Sequence, residues 1–361
     1  MLAKKVQGAG GVGGAAGGGV AFVAGPTSDS ITSIDISDPS NLSILDTHVD
    51  NTVLDLVNTV RLDPVNEVLY ALSRTSVNNY FSSYDVSDPT NITLLDSIQA
   101  TGVSAFWSEM AIDTVNQVAI LAGNIGGLYF QTVDISDPSN LTILGSVTTS
   151  YLPYSSGAIT GWPAIDTGAD RAFVPSNPDI ITMMNISTPS SPSQVTYLYD
   201  ATNLDRAHFI QLNTATEELF VTSYDDMALT SVDYSVSGGT LTVNSKFVMT
   251  PSVSGGLPQG LRLDLTNDIA YVAAAQADEI FAIDISNPAS MSQLGSLYST
   301  PYFNSARDLD IDVANSVLYG VGAYLGNGVF TSVDISNPAS MSVIDSITSA
   351  TMQSPFSVQI Y

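Results

Sequence analysis

The chain has 361 residues, no cysteine and a formal net charge of −26. Without cysteine it can form neither disulfides nor thiolate metal sites, and its strong acidity argues against binding to a nucleic-acid phosphate backbone. Aspartate is far commoner than glutamate, with 30 residues against 5. Because the short Asp side chain favours turns over helices, we predict an all-β protein of short strands joined by many turns.

The first segment, residues 1–19, contains eight glycines and is predicted to form an arm. It is too rich in glycine for the apolar helix of a signal peptide. The chain also has no run of about 20 strongly apolar residues, so no membrane span is predicted. Glycine allows close backbone approach, which favours attachment of the arm to a neighbouring structural subunit. Packing against the rest of its own chain is the alternative. The candidate attachment residues are Lys4, Lys5, Gly8, Gly10 and Gly11.

A seven-residue motif, Asp-Ile-Ser-Asp-Pro-Ser-Asn at residues 35–41, recurs along the chain. Further copies, some of them degenerate, begin at residues 85, 134, 185, 233, 284 and 334, at intervals of 48 to 51 residues. Strand-like runs flank each copy, and Asp-Pro-Ser-Asn suits a type I turn, so each copy predicts a β-hairpin. The spacing indicates a repeat of about 50 residues.

A second motif, Leu-Asp-Pro-Val-Asn-Glu-Val-Leu-Tyr at residues 62–70, follows the first by about 28 residues and predicts a second hairpin. Each repeat then holds four antiparallel strands, which we call A to D in chain order. Such a unit is typical of a β-propeller blade. A linear solenoid is the competing architecture, but a solenoid needs capping repeats at both ends.

The two ends of the repeat region predict how a ring would close. The first repeat begins at its strand B, residues 20–25, whereas the chain ends on residues 356–361, which align with strand A of the other repeats. The C-terminal segment would therefore complete the first blade and remove exposed sheet edges. We predict a single domain, residues 20–361, folded as a closed seven-bladed β-propeller.

Residues 132–147, Thr-Val-Asp-Ile-Ser-Asp-Pro-Ser-Asn-Leu-Thr-Ile-Leu-Gly-Ser-Val, resemble the LVIVD-repeat β-propeller family. The similarity covers six of the seven repeats well, and the repeat around Asp233 is the poorest. This chain departs from the family in having Leu, Ile or Met after the turn where Pro is frequent, and in its longer period. The resemblance implies a propeller with an outward-facing binding or structural role, on a microbial surface or a viral particle, and no particular activity.

Function is expected on the face that carries the B–C and D–A loops, because these loops vary between repeats while the A–B and C–D turns recur. The candidate ligand- or partner-binding residues of this variable face are Trp107, Glu109, Trp162, Asp205, Arg206, His208, Arg307 and Asp308. Salt bridges between blades are the alternative role of the charged residues, and filling of space between blades is that of the tryptophans.

Calcium is an alternative for one strand, on which Asp308, Asp310 and Asp312 alternate and share a face. However, Asp312 matches the turn aspartates of other repeats. Asp310 aligns with Arg262 of the preceding repeat, which favours an ion pair over a metal site.

No catalytic motif is present: the sequence has no Gly-x-Ser-x-Gly elbow, phosphate-binding loop or His-Glu-x-x-His. We therefore predict a non-enzymatic protein without a cofactor, located in a virion as a phage or virus decoration, tail or fibre protein. Its partners would be other structural subunits, through the arm, and a host surface protein or glycan. The alternatives are a microbial cell-surface adhesion module and a hydrolase, either calcium-dependent or using Glu109 and Asp205 as paired carboxylates.

Overall fold

A computed structural model describes residues 19–74, 79–99, 107–124, 128–149, 161–253 and 256–361. The predicted attachment residues of the arm, from Lys4 to Gly11, lie outside the described residues, so their role stays a prediction. In the described part of the chain the single α-helix, α1, is one turn at Thr300–Phe303. Short 3₁₀ turns lie at Pro26–Ser28, Pro288–Ser290 and Ala350–Met352.

Almost all other regular structure consists of short strands rich in β-branched and aromatic residues, which favour extended backbone. In chain order the strands are β1 (Val20–Gly25), β2 (Ser30–Asp35), β3 (Ser43–Val49), β4 (Val57–Asp63), β5 (Val68–Ser73), β6 (Tyr80–Asp85), β7 (Thr93–Gln99), β8 (Trp107–Asp113), β9 (Val118–Asn124), β10 (Leu128–Asp134), β11 (Thr142–Thr149), β12 (Ala164–Asp166), β13 (Arg171–Ser176), β14 (Ile180–Asn185), β15 (Ser193–Tyr199), β16 (Ala207–Asn213), β17 (Glu218–Ser223), β18 (Ala228–Ser235), β19 (Thr240–Val248), β20 (Pro258–Asp264), β21 (Ile269–Ala274), β22 (Glu279–Asp284), β23 (Ser292–Tyr298), β24 (Asp308–Asp312), β25 (Val317–Tyr324), β26 (Asn327–Asp334), β27 (Ser342–Ser349) and β28 (Ser357–Ile360).

These strands form seven antiparallel four-stranded sheets, the blades. Blade 1 is β28-β1-β2-β3, and blades 2 to 7 take β4 to β27 four at a time. The first strand of each blade lies innermost, because these strands contact one another in a closed circuit from β28 through β4, β8, β12, β16, β20 and β24 back to β28. The predicted seven-bladed β-propeller is confirmed.

Blade 1 joins the two ends of the chain. β28 pairs antiparallel with β1, and Val358 stands opposite Val23. Two N–H groups of β28 are satisfied by the neighbouring blade. Those of Val358 and Ile360 donate to the carboxylates of Asp308 and Asp310 in blade 7, at 3.1 and 2.9 Å. The predicted closure by the C-terminal strand is confirmed, and buried carboxylates of the neighbouring blade reinforce it.

The A–B turns are built on their aspartates. In blade 2, Asp63 Oδ1 accepts the backbone N–H of Asn66 at 3.1 Å, and the next residue, Glu67, has a left-handed φ of 55°. The carbonyl of Glu67 accepts an N–H from the end of strand C. In blade 1 the equivalent place is taken by Gly19, whose φ is 64° and whose carbonyl accepts the N–H of Ile36 at 2.7 Å. The last residue of the predicted arm thus contributes to the first blade.

The seven-residue motif forms the C–D turns and fixes them with its own side chains. Asp35 Oδ1 accepts the N–H of Ser37, and Asp38 Oδ1 accepts the N–H of Ser40, both at 2.9 Å. The hydroxyls of Ser37 and Ser40 donate to the same two oxygens at 2.6 Å. Because hydrogen bonds favour the charged carboxylate, these hydroxyls, followed by the backbone N–H groups, lower the pKa of both Asp35 and Asp38. The abundance of aspartate therefore reflects turn formation.

The same turns connect neighbouring blades. A hydroxyl two residues before the motif donates to a proline carbonyl in the next blade's turn, at 2.5 to 2.6 Å: Ser33 to Pro89, Ser83 to Pro138, Thr132 to Pro189 and Ser332 to Pro39. Each donor lies at a β-bulge in the pairing of strands C and D, and bulges re-aim side chains. Between blades 4 and 5 this hydrogen bond is absent on both sides. Blade 4 has Met183 in place of the hydroxyl donor, and the C–D turn of blade 5 has no proline to accept.

The apolar core lies between the blades. The described residues form seven apolar clusters, one for each contact between neighbouring blades. Between blades 2 and 3, for example, Tyr70 and Phe81 pack with Trp107 and Leu121. Burying one such large side chain stabilises the fold by roughly 1.5–3 kcal/mol. The stability of the ring therefore depends on every blade keeping both of its neighbours.

Candidate functional site

A cavity of about 160 Å³ lies at the mouth of the central channel on the variable face. All seven blades contribute to its lining, each from the start of its inner strand or from the loop after strand B, which places the cavity on the ring axis. Five of the eight predicted binding residues line it, namely Glu109, Trp162, Arg206, His208 and Arg307.

Three of the six arginines of the chain line this cavity. Arg206 lies over the ring of Tyr224 at 4.4 Å and forms an exposed ion pair, while Arg307 lies over the ring of Phe356 at 3.7 Å. Arg74 is exposed at the rim. Within the described residues, neither Arg307 nor Arg74 has an ion-pair partner. On a chain with a net charge of −26, the channel mouth therefore concentrates positive charge.

Glu109 is the one acidic residue in the described lining, and it is almost fully buried. Its two oxygens accept hydrogen bonds from Asn58 Nδ2 at 2.6 Å and from Thr59 Oγ1 at 2.5 Å. Burial raises the pKa of Glu109 to about 8, and the Thr59 hydrogen bond and the charge of Arg61 oppose that shift only in part. At neutral pH most of this carboxyl is protonated, so it cancels little of the positive charge around it.

His208 is surrounded by aromatic rings. Its imidazole lies 4.8 Å from the Trp162 ring and 5.2 Å from the Tyr224 ring, and Trp162 stacks on Phe209 at 5.2 Å. The backbone N–H of Trp162 donates to the backbone carbonyl of His208 at 2.7 Å, and this hydrogen bond joins blades 4 and 5. Burial lowers the pKa of His208 to about 3, and the charge of Arg206 acts in the same direction. The imidazole is therefore neutral at physiological pH.

Three buried polar atoms of lining residues have no hydrogen-bond partner among the described residues: Trp162 Nε1, His208 Nδ1 and Gln259 Oε1. Leaving such an atom unsatisfied costs roughly 1–3 kcal/mol. The indole N–H can only donate, the amide oxygen can only accept, and a neutral imidazole nitrogen can do either. Together with the arginines, this set can bind a small molecule that offers both donors and acceptors.

Three predicted binding residues lie outside the lining. Trp107 is fully buried between blades, and its indole N–H donates to Gln131 at 2.7 Å. Asp205 precedes Arg206, and burial together with neighbouring carboxylates raises the pKa of Asp205. Asp308 has no exposed surface.

Asp308 belongs to a buried ion-pair network on the inner strands of blades 6 and 7. Arg262 contacts Asp308 and Asp310, each at 3.2 Å. Burial raises the pKa of Asp308, and the guanidinium groups of Arg262 and Arg61 oppose that shift. Because both aspartates also accept amides of β28, the network ties blades 6 and 7 to the closing strand. No three His, Cys, Asp or Glu side chains of the described ranges are grouped so as to hold a metal ion.

Seven further lining residues were not among the predicted binding residues: Asn58, Arg74, Asn177, Ala207, Tyr224, Gln259 and Phe356. They occupy two repeated positions. Four of them, Asn58, Ala207, Gln259 and Phe356, stand at the start of a strand A, and the other three directly follow a strand B. Comparing the repeats at these two positions, rather than looking for irregular loops, would have found them.

The model of the LVIVD repeat matches residues 15–48, 126–149, 263–299 and 313–349. The chain is a β-propeller with LVIVD repeats. Comparison of the chain with curated protein sequences gives no match. In the part of the chain that the structure describes, no helix has the length and apolarity needed to cross a membrane.

Solved structures show the same fold as this chain. A protein from Lactobacillus plantarum has a TM-score of 0.79 at 15% identity, covering 95% of this chain and 98% of that chain. The periplasmic gluconolactonase PpgL of Pseudomonas aeruginosa has a TM-score of 0.76 at 8% identity, covering 94% and 98%. A functionally unknown protein from Desulfotomaculum acetoxidans has a TM-score of 0.72 at 11% identity, covering 94% and 98%. At such identities the likeness establishes the fold alone.

The titration of Glu109 gives a pH-dependent prediction. Its pKa rises from 4.5 to about 8 on folding, so the folded state holds a proton that the unfolded chain releases between these values. The stabilisation from this group is therefore complete below about pH 4.5 and is lost as pH rises through about 8. We expect the free energy of unfolding of the wild type, relative to Glu109→Gln, to fall by a few kcal/mol between about pH 5 and pH 9 in urea titrations. A pH-independent difference would show that Glu109 titrates normally.

Proposed function

We propose that this propeller is a non-enzymatic binding protein displayed on a particle, a virion component such as a decoration, tail or fibre protein. It engages its ligand through the channel-mouth cavity. The observation that carries the proposal is the grouping of three arginines, one of them paired with Asp225, in the lining of one cavity of a chain with a net charge of −26. Stability does not explain this grouping, because the one ion pair it contains, Arg206 with Asp225, is largely exposed and such pairs add little. The convergence of the arginines is better explained by attraction of an anionic ligand.

The opposite face supports a display role. Its repeated turns satisfy their own aspartates and serines, and they connect the blades through proline carbonyls. This face therefore has a structural role. The strong acidity of the chain would keep a protein displayed on a particle soluble. The arm would attach the propeller to a neighbouring subunit, and a host surface protein or glycan would occupy the channel mouth. A microbial cell-surface adhesion module is the alternative, which the LVIVD repeats favour equally.

The location is tested by mass spectrometry of particles purified on a density gradient from a culture that produces the protein. We expect peptides of this chain to follow the particle peak in constant ratio to its main structural protein. Recovery only in the cell-envelope fraction would favour the adhesion module. Recovery only in the soluble fraction would contradict both.

The binding face is tested with labelled full-length protein on the host surface. Arg307→Met removes an unpaired cation of the cavity and should weaken binding by about tenfold or more. The matched control is Lys246→Met, since Lys246 pairs with Asp226 and does not line the cavity. Wild-type binding by both variants would show that the surface contact does not use the channel mouth.

A lactone hydrolase is the second candidate function. It is favoured by the fold similarity to a gluconolactonase and by the presence of Glu109 and His208 in one cavity, where a carboxyl with a pKa of about 8 and a neutral imidazole could exchange protons. We expect the full-length protein not to accelerate hydrolysis of D-glucono-1,5-lactone above the buffer rate. Acceleration that Glu109→Gln abolishes would replace the binding proposal with an enzymatic one.

A further inference from the structure

We infer that the channel-mouth cavity binds a sugar acid, a small polyhydroxylated carboxylate such as the terminal acidic residue of a glycan. This inference rests on the proposed function, because it names the ligand class of the same cavity. Two separate sets of lining groups carry it: the arginines, which require an anion, and the unpartnered polar atoms, which require hydroxyl groups.

The arginines are prepared for an anion before it arrives. Arg206 and Arg307 lie over the rings of Tyr224 and Phe356, at 4.4 and 3.7 Å. Stacking fixes the plane of a guanidinium group, so less side-chain entropy is lost when a ligand accepts its N–H groups. Arg206 already has an acidic partner, whereas Arg307 has none among the described residues. Arg307 is therefore the group that a carboxylate would engage first, in the two-bond geometry that guanidinium groups favour.

The polar atoms distinguish a sugar acid from a simple carboxylate. The Nε2 of Gln259 donates to Tyr224 Oη at 3.3 Å, which orients the amide, and its buried Oε1 is left as an acceptor. An acceptor of this kind needs a ligand that donates, and a carboxylate has no donor. Trp162 and His208 also line the cavity, and Trp162 Nε1–H and His208 Nδ1 each lack a hydrogen-bond partner among the described residues. Ring hydroxyls supply both functions next to the anionic group.

Size and charge restrict the ligand further. A cavity of about 160 Å³ is smaller than the roughly 300–1,000 Å³ of sites for drug-sized molecules, so it suits one sugar residue. Of the two lining guanidinium groups that have no ion-pair partner in the described part of the chain, Arg307 is half-buried and Arg74 is exposed. The interior thus offers one desolvated positive charge. That charge matches a carboxylate better than a phosphate monoester, which carries about −1.5 to −2.

The test is isothermal titration of the full-length protein, at one ionic strength, with a panel of probes. The acidic sugars are D-glucuronate, D-galacturonate, D-gluconate and N-acetylneuraminate, and the comparison ligands are D-glucose, acetate and glucose 6-phosphate. We expect at least one acidic sugar to bind about tenfold or more tighter than every comparison ligand. If glucose bound as tightly as the acidic sugars, the role of the arginines would be overturned. Equal affinity for acetate would overturn the role of the hydroxyl groups. Tighter binding of glucose 6-phosphate would overturn the assignment of the ligand to a carboxylate.

Variants test whether binding occurs in this cavity. Arg307→Met and Gln259→Leu should each weaken the best acidic sugar by about tenfold or more, and Lys246→Met should leave its affinity unchanged. If Arg307→Met does not fold, Arg74→Gln at the exposed rim tests the same charge dependence, with a several-fold loss expected. Unchanged affinity in the folded cavity variants, or no binding by any of the four acidic sugars, would overturn the inference. Neither result depends on whether the protein is found on particles, so failure of the proposed function is seen separately.

Discussion

Removal of residues 356–361 is expected to unfold the whole ring and not blade 1 alone. The deletion takes away β28, leaves β1 without its inner partner, and leaves the carboxylates of Asp308 and Asp310 without the amides they accept. The buried side chain of Val358 alone accounts for roughly 1.5–3 kcal/mol, and each buried group left unsatisfied costs roughly 1–3 kcal/mol more. Together these losses approach the 5–15 kcal/mol by which a typical domain is stable.

The deletion is measured by thermal and urea unfolding of the truncated chain beside the full chain. We expect the midpoint to fall steeply or the cooperative transition to disappear. A synthetic peptide of residues 355–361 should restore part of the stability by adding back the missing strand, and a scrambled peptide of the same composition should not. A truncated chain that melts like the intact one would contradict closure by the C-terminal strand.

Arg262→Met is expected to destabilise the ring strongly. It keeps the length of the side chain but leaves Asp308 buried without its nearest cation, and Asp310 loses the same partner. Breaking a buried pair by removing one member costs roughly 3–5 kcal/mol, because the remaining charge stays desolvated. The free energy of unfolding from urea titrations measures the effect.

Arg206→Met is the matched control for this substitution. Arg206 pairs with Asp225 at 3.0 Å, but their side chains are 39% and 40% exposed. Exposed pairs contribute about 0–1 kcal/mol, so the same chemical change should cost little here. Equal losses in Arg262→Met and Arg206→Met would show that the buried network does not hold the closing strand.

The fold could be predicted from the sequence because its decisive signals are local. An aspartate that bonds the backbone two or three residues on, as Asp63 and Asp35 do, is visible in a short motif, and the spacing of such motifs counts the blades. The contacts between blades could not be read in this way. Ser33 and Pro89 are 56 residues apart, and their hydrogen bond depends on a β-bulge that leaves no mark in the sequence.

The candidate site could be predicted only in part, for a related reason. Trp107 and Glu109 are two residues apart on one strand, so simple alternation would place their side chains on the same face of the sheet. A shift in the register between β8 and β9 lies between them, and the structure has Trp107 in the core but Glu109 in the cavity lining. The pairing of Arg262 with Asp310 could be predicted from the sequence, because the two positions align between repeats. The role of Asp308 at the closing strand depends on the ring being closed.

The two tryptophans of the chain allow the most direct test of the sugar-acid site. The indole N–H of Trp107 is bonded to Gln131 in the core. The indole N–H of Trp162 has no partner among the described residues, and Trp162 is a lining residue of the cavity. In full-length protein labelled with ¹⁵N-tryptophan, each indole gives one NMR signal, and Trp162→Phe identifies the signal of Trp162. Titration with the tightest-binding acidic sugar should shift the Trp162 signal in a saturable way and leave the Trp107 signal in place. A saturating sugar acid that moves neither signal, or moves only that of Trp107, would contradict a binding site at the channel mouth.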